Sequence, residues 1–290
     1  MKDKIITFLE WYNTPEVKFE IIKFLRDREF ACLVPSWCPE DMKKKSTRTL
    51  RCHSVQHLDT ILFKILDVRY KQTLYNLYYS MATYMNGLPY QNPNLAKRDT
   101  KEWKDKHHEQ MFAYDWLIDI DAGSHDDIDW AFESADKIKR LLDRCSVAYE
   151  LRFSGCGFHI IVPYRMFAWL NLHTNPWAEG SYFSFLTKMS EQIYNKLSEL
   201  TDWTMPDSRR LTKIPYSIAF YPEAEYICLP FINANEFYRF NLEDMKPDNW
   251  KGLLRNRSST VFNLNERPDF AKLIKLLEVD ADGCKAKNTD

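Results

Sequence analysis

Two aspartates one residue apart close an otherwise apolar run. Tyr114 to Asp121 reads YDWLIDID, and in a strand the alternation of faces sends Asp119 and Asp121 to one side and Trp116, Ile118 and Ile120 to the other. No apolar surface is gained by ending a hydrophobic strand in two carboxylates, which repel each other and resist burial. A hard divalent cation such as Mg²⁺ or Mn²⁺ offsets both costs, since such ions take oxygen ligands. Two such ions together can activate an attacking oxygen and neutralise a departing phosphate. The plain alternative is a strand end whose carboxylates face water. Ala122-Gly123-Ser124 ends the strand and leaves the pair at its open end.

Val147 to Phe153 (VAYELRF) alternates again, breaks at Ser154-Gly155-Cys156-Gly157 and resumes as Phe158 to Val162 (FHIIV). The pattern is strand, turn, strand, with His159 on the face of Ile161 and opposite Phe158, Ile160 and Val162. Glycine at 155 and 157 permits positive φ or close backbone approach, and the amides of such a turn can meet a phosphate. His159 is either a core histidine held by one hydrogen bond or a ligand contact. Farther on, Asp202 and Asp207 precede Arg209, Arg210 and Lys213, and Ile214-Pro215 follows. Lys213 suits an anion, and equally suits an ion pair with Asp202 or Asp207.

In order, Asp119-Ile120-Asp121, then Ser154-Gly155-Cys156-Gly157-Phe158-His159, then Asp202 followed by Arg209-Arg210-Leu211-Thr212-Lys213-Ile214-Pro215-Tyr216-Ser217-Ile218, resemble the three catalytic motifs of the archaeo-eukaryotic primase superfamily. The likeness is strongest to the small catalytic subunit of replicative DNA primases. Glu29-Phe30, Arg51 with His53, and Tyr79-Ser80 resemble further stations of that subunit, so the likeness runs from about residue 29 to about residue 230.

The resemblance implies a mixed α/β fold like that of the primase small subunit, a mixed or antiparallel sheet flanked by helices. It implies that Asp119, Asp121 and Asp202 hold two Mg²⁺ or Mn²⁺ ions. Ser154, His159 and Lys213 would contact the incoming nucleotide, with Arg210 and Arg51 assisting. The implied activity is template-directed nucleotidyl transfer that makes or extends short primers on single-stranded DNA from nucleoside triphosphates. A primase large subunit and a helicase are the candidate protein partners, and the setting is cytoplasmic or nuclear according to host. Two alternatives stand beside it: a primer-dependent repair polymerase of the same superfamily, and a catalytically inactive nucleic-acid-binding module.

Three positions depart from the family pattern. Cys156 stands between the glycines where the family often has arginine, and Ala219 follows Ser217-Ile218 where a histidine is common. Asp202 sits about one residue nearer Lys213 than in close relatives, which leaves Asp207 as a weaker candidate for the third carboxylate. The family's zinc knuckle would fall between the first and third motifs. Only Cys145 and Cys156 lie there, so no structural zinc is expected.

Charge narrows the partners. With 40 basic against 41 acidic residues the formal net charge is -1, which argues against a high-affinity nonspecific DNA coat and confines any nucleic-acid surface to a local patch. Lys43, Lys44, Lys45 and Arg48, in the polar segment Pro39 to Arg48, form the densest basic run; it is either a solvated loop or a grip on template phosphates. Of the 16 Tyr, 18 Phe and 9 Trp, most belong in the core, and exposed ones can stack on single-stranded bases. Seven scattered cysteines, the absence of a signal peptide and of any membrane-length apolar run fit a reducing intracellular setting. Cys32, Cys38, Cys52, His53 and His57 contain no Cys-x-x-Cys pair and make a poor zinc site.

The elements that must position these residues follow from periodicity. Amphipathic helices are expected over residues 2–12 and 16–27, and a strand over Phe30 to Val34. Leu58, Ile61, Leu62, Ile65 and Leu66 mark a packed helix, and Tyr75 to Tyr84 is strand or helix. A polar connection spans 86–106, with His107-His108 after it. A helix through Ala131, Ala135, Ile138, Leu141 and Leu142 is capped by Asp126 or Asp127. An irregular insertion over 164–180 leads into a helix from about 181 to 198. A strand through Tyr216 to Phe220 would set Lys213 beside the carboxylates, and another runs over 226–231. Arg255 and Arg257 fall in a polar stretch before a helix over Asp269 to Leu277, and the last dozen residues should fray. Residues 1–290 read as a single catalytic domain with a small helical lobe.

Overall fold

The computed structural model describes residues 1–84, 110–167, 182–204, 206–207, 209–250, 254, 257, 261–264 and 266–278. The connection over 86–106, His107-His108, most of the 164–180 insertion, Arg255 and the last dozen residues lie outside them. Twelve strands are numbered in chain order: β1 (Phe30–Leu33), β2 (Thr47–Leu50), β3 (Asn76–Ser80), β4 (Ala82–Tyr84), β5 (Met111–Tyr114), β6 (Trp116–Asp121), β7 (Glu150–Phe153), β8 (Gly157–Val162), β9 (Leu211–Lys213), β10 (Ile218–Phe220), β11 (Glu225–Ile227) and β12 (Leu229–Pro230). The pairs β1-β2, β1-β3, β3-β9, β6-β8, β7-β12 and β10-β11 are antiparallel, and helices flank the sheets. The architecture is thus the mixed α/β class with antiparallel sheets expected from the sequence. The chain forms two compact units, one of Met1–Pro89, Arg152–Gly155 and Leu211–Thr260, the other of Tyr90–Leu151, Cys156–Arg210 and Val261–Asp290.

In the first unit, helices Lys2–Asn13 and Pro15–Phe24 meet at an extended Thr14. Pro15 suits the first turn because that position needs no N–H donor. Their apolar stripes bury Phe8, Trp11, Tyr12, Val17 and Ile21. Trp11 Nε1 donates to the Tyr216 carbonyl (2.9 Å), and the Ile218 amide donates to the Tyr12 hydroxyl (2.9 Å). These two bonds tie the first helix to the chain just beyond Lys213. A sheet of order β2-β1-β3-β9 carries Lys213 at its edge, paired with Tyr78. The hairpin β10-β11 follows, and Arg152 and Phe153 of β7 pair with Pro230 and Leu229 of β12.

Several local expectations shift in this unit. The helix Val55–Asp59 continues as a π-helical turn, Thr60–Ile65, and that wider turn rotates Ile65 out to solvent while Leu58, Ile61, Leu62 and Leu66 stay buried. Pro39 to Arg48 is not all loop. Glu40–Lys43 is one helical turn and Arg48 lies in β2, its guanidinium against the buried Glu29 (3.3 Å). Lys43 pairs with Glu40 (2.6 Å) and Lys45 bonds Thr73 (3.0 Å), so three of the four basic side chains have protein partners. The strand expected from Tyr216 begins only at Ile218, because Tyr216 adopts φ 65° and Ser217 folds back onto the Ile214 carbonyl. Arg257 is buried rather than solvated. It grips Glu236 through two bonds (2.6 and 2.8 Å) and donates to the Pro230 carbonyl.

The second unit is built on β6 and β8, in unbroken antiparallel register from Trp116↔Val162 to Asp121↔Gly157. Residues directly opposite each other share a face. Trp116, Ile118 and Ile120 therefore join Val162, Ile160 and Phe158 on one face, while Asp119 joins His159 on the other. Helices cover the apolar face: Phe132 of Ile128–Arg144 meets Phe158 edge-on (6.0 Å), and Trp116 Nε1 donates to Ser190 of Tyr182–Lys196 (2.9 Å). Helix Phe270–Leu277 is capped by Asp269, whose side chain accepts from the Lys272 amide. At the Ile128 helix the expected acidic cap is absent. Asp127 occupies the capping position, but its carboxylate takes the Ser124 hydroxyl (2.7 Å) instead of a helical amide.

Candidate functional site

The register of the second unit fixes three aspartates. Asp119 and Asp121 project from one face of β6, the first partly buried, the second exposed. The chain after Tyr182–Lys196 then returns along the end of β6. Ile120 and Thr201 form an antiparallel bridge, the Asp121 amide donates to the Leu200 carbonyl (3.1 Å), and the Asp202 amide donates to the Asp119 carbonyl (3.0 Å). Thr201 shares the buried face of Ile120, so alternation puts Asp202 on the face of Asp119 and Asp121. Backbone pairing therefore brings Asp202 to the end of β6. Asp207 is not part of this bridge. Its carboxylate accepts from the Arg209 amide (2.9 Å), closing its own turn, and its amide donates to the Tyr114 hydroxyl (3.3 Å).

Each of the three carboxylates is held locally. Asp119 Oδ1 meets His159 Nε2 at 3.2 Å, Asp121 Oδ1 accepts from the Gly123 amide (2.9 Å), and Asp202 Oδ1 accepts from the amide and hydroxyl of Thr204 (2.9 and 2.6 Å). Arg210 lies 3.9 Å from Asp202 Oδ2. No three acidic, histidine or cysteine side chains among the described residues converge closely enough to hold a metal ion as they stand. The donor chemistry nonetheless fits a hard divalent ion: three carboxylates on hydrogen-bonded segments that share one face. His159, buried on Asp119, has the core position of one sequence reading. Its partner is a carboxylate of the candidate site, and the contact fixes the orientation of that carboxylate.

Gly157 explains how β6 and β8 pack here. A Cβ at this position would stand 2.0 Å from the Ile120 carbonyl oxygen, so only glycine fits. Gly155, in the first unit, is required for another reason: its φ is +110°, and a Cβ would meet Ala219 Cβ at 2.6 Å and the Tyr221 hydroxyl at 2.8 Å.

One cationic candidate of the first unit lies beside that glycine. Lys213, half-buried at the end of β9, donates to the Ser154 carbonyl (2.9 Å) and to the Tyr221 hydroxyl (3.1 Å). Burial works against its charge, but the Tyr221 and Tyr78 phenols outweigh it, and its pKa is raised. Among the described residues of its own unit, no carboxylate pairs with it. Ser154 is buried, and Arg51 is exposed just beyond β2.

Sequence reading missed two residues here. Arg152 is fully buried, with guanidinium bonds to the Tyr79 hydroxyl (3.2 Å) and the Thr212 hydroxyl (3.0 Å), a cross-strand pair of β3 and β9. An arginine inside the apolar run VAYELRF was the available signal. Tyr221 gave none, since tyrosine is common throughout the chain. Burial raises the Cys32 and Cys52 thiols, Cys52 to about 12.

The class of protein that this fold defines is a mixed α/β domain of antiparallel sheets flanked by helices. A particular solved structure shares it, the polymerase domain from Mycobacterium tuberculosis Ligase D in complex with DNA, with a TM-score of 0.50, 12% identity and 91% of each chain covered. At that identity the likeness is one of fold. No family model matches the chain, and no curated protein matches it. No described helix is long and apolar enough to cross a membrane.

Proposed function

We propose that the chain is a nucleotidyltransferase acting on DNA, with residues 1–290 working as one catalytic domain that makes or extends short primers on a single-stranded template. The observation that carries this reading is the pairing of Asp202 with the end of β6, which sets a third carboxylate beside Asp119 and Asp121 by backbone hydrogen bonds. The order of motifs and the fold likeness to a polymerase domain support it.

In this reading Asp119, Asp121 and Asp202 hold Mg²⁺ or Mn²⁺, with Asp202 releasing Thr204 as it turns. Bound in such a site, the ions would lower the pKa of a 3'-hydroxyl and neutralise charge on departing pyrophosphate. His159 keeps the Asp119 carboxylate oriented, so any nucleotide contact it makes is made with that bond in place. Lys213 offers its ammonium to the triphosphate, aided by Ser154, Arg210 and Arg51. The template selects the nucleotide by base pairing, and little base-specific protein contact is required. A large subunit or helicase would extend the same activity.

A second reading, primer-dependent extension, is favoured by the nature of the solved neighbour, a polymerase domain in complex with DNA. Incubation with labelled nucleoside triphosphates, Mn²⁺ or Mg²⁺, and either unprimed or primed single-stranded DNA, followed by sizing of products, separates the readings. Metal-dependent products on both substrates are expected. Products on primed DNA alone favour the extender, and none on either leaves only a binding module.

A further inference from the structure

We infer that Tyr221 is a positioning residue that holds the Lys213 ammonium in place for a polyphosphate anion. This rests on the phosphate-binding role proposed for Lys213. A lysine carries its charge on a flexible four-carbon stem and presents a mobile point charge unless something fixes it. Two acceptors fix this one, the Ser154 carbonyl and the Tyr221 hydroxyl. An ammonium has three donors, so one N–H remains beyond these two bonds.

The Tyr221 hydroxyl is itself held. Gly155, at φ +110°, lets the turn come so close that an added Cβ would lie 2.8 Å from that hydroxyl and 2.6 Å from Ala219 Cβ. Ala219 and Gly155 are thus the small residues that make room for the phenol between the turn and Lys213. The ammonium lies 5.5 Å from the Tyr221 ring centroid, yet only 3.1 Å from its oxygen, so the hydroxyl is the atom that matters. The elevated Lys213 pKa, to which Tyr221 contributes, agrees with a cation kept charged in a half-buried place. Neither neighbour is a carboxylate: one is a backbone carbonyl and the other a hydroxyl.

Tyr221→Phe removes the hydroxyl and keeps the ring. Its binding of inorganic tripolyphosphate, measured by calorimetry, should weaken about tenfold, the size expected for one hydrogen bond to a charged group, with the melting temperature retained. Nucleotide KM should rise by more than kcat falls. In a Lys213→Gln background the Tyr221→Phe effect should vanish, because a residue acting through Lys213 has nothing left to position. Wild-type-like binding by Tyr221→Phe, an equal loss in the Lys213→Gln background, or no binding by the wild type would each overturn the inference. If the binding pattern holds while the wild type incorporates no nucleotide, the inference stands and the nucleotidyl-transfer reading falls.

Discussion

The carboxylates of the second unit and the cation of the first are positioned in opposite ways. Asp119, Asp121 and Asp202 owe their places to main-chain bonds: strand register for two, one antiparallel bridge for the third. Their side chains rest on local partners such as Thr204 and the Gly123 amide. Lys213 depends on its side-chain contacts, with a carbonyl and a phenol fixing the ammonium and a glycine at positive φ packed behind them. A group that must coordinate a small, exchangeable ion benefits from a fixed backbone and an adjustable side chain. A group that must present charge to a larger anion benefits from a fixed side chain.

The largest expected effect breaks the first half of that comparison. Asp119→Asn or Asp121→Asn should cut metal-dependent incorporation about a thousandfold, roughly 4 kcal/mol of lost electrostatic help, while circular dichroism stays native. Near-normal turnover would end the metal-ligand assignment. Asp202→Asn should be as damaging, whereas Asp207→Asn, whose side chain only closes a turn, should keep activity within about threefold, since turn-closing bonds contribute modestly. A reversal of that order would move the third ligand to Asp207.

Gly157→Ala sharpens the backbone side of the contrast. Its Cβ meets a carbonyl oxygen that cannot step aside, and a loss of about 3 kcal/mol in denaturant unfolding is expected. Gly155→Ala should lose less stability, about 2 kcal/mol for a strained φ, since its Cβ meets side chains rather than a main-chain carbonyl. Equal costs would mean that the two glycines serve one purpose. The smallest effect is thermal: Mn²⁺ should raise the melting temperature of the wild type by a few degrees, at most about 2.7 kcal/mol of linkage at a hundredfold excess over Kd, and leave Asp121→Asn unmoved. An equal rise in both proteins would place the ion elsewhere.

Strand alternation made β6 and β8 legible in the sequence, because an apolar face and a polar face read directly as period two. Alternation alone did not bring Asp119 opposite His159, since register between strands is absent from a single sequence. Asp202 was found through motif order. The bridge that positions it involves three residues with no periodicity of their own, too short to read as a strand. Arg152 and Arg257 were hidden for a different reason: their burial depends on partners far along the chain, Tyr79, Thr212 and Glu236. The exposed Ile65 was misread because a π-helical turn breaks the 3.6-residue period without any local marker.

The bridge between Ile120 and Thr201 also governs which changes in chain length the protein can survive. Side chains along a paired segment alternate, so removing or adding one residue between the end of helix Tyr182–Lys196 and Thr201 would present the wrong face at the end of β6. Asp202 would be driven toward the core, or the pairing would be lost. Downstream of Asp202, where the chain turns through Thr204 toward Arg209, no such parity applies. Length variation among descendants of this gene should therefore be tolerated after the third carboxylate and purged just before it.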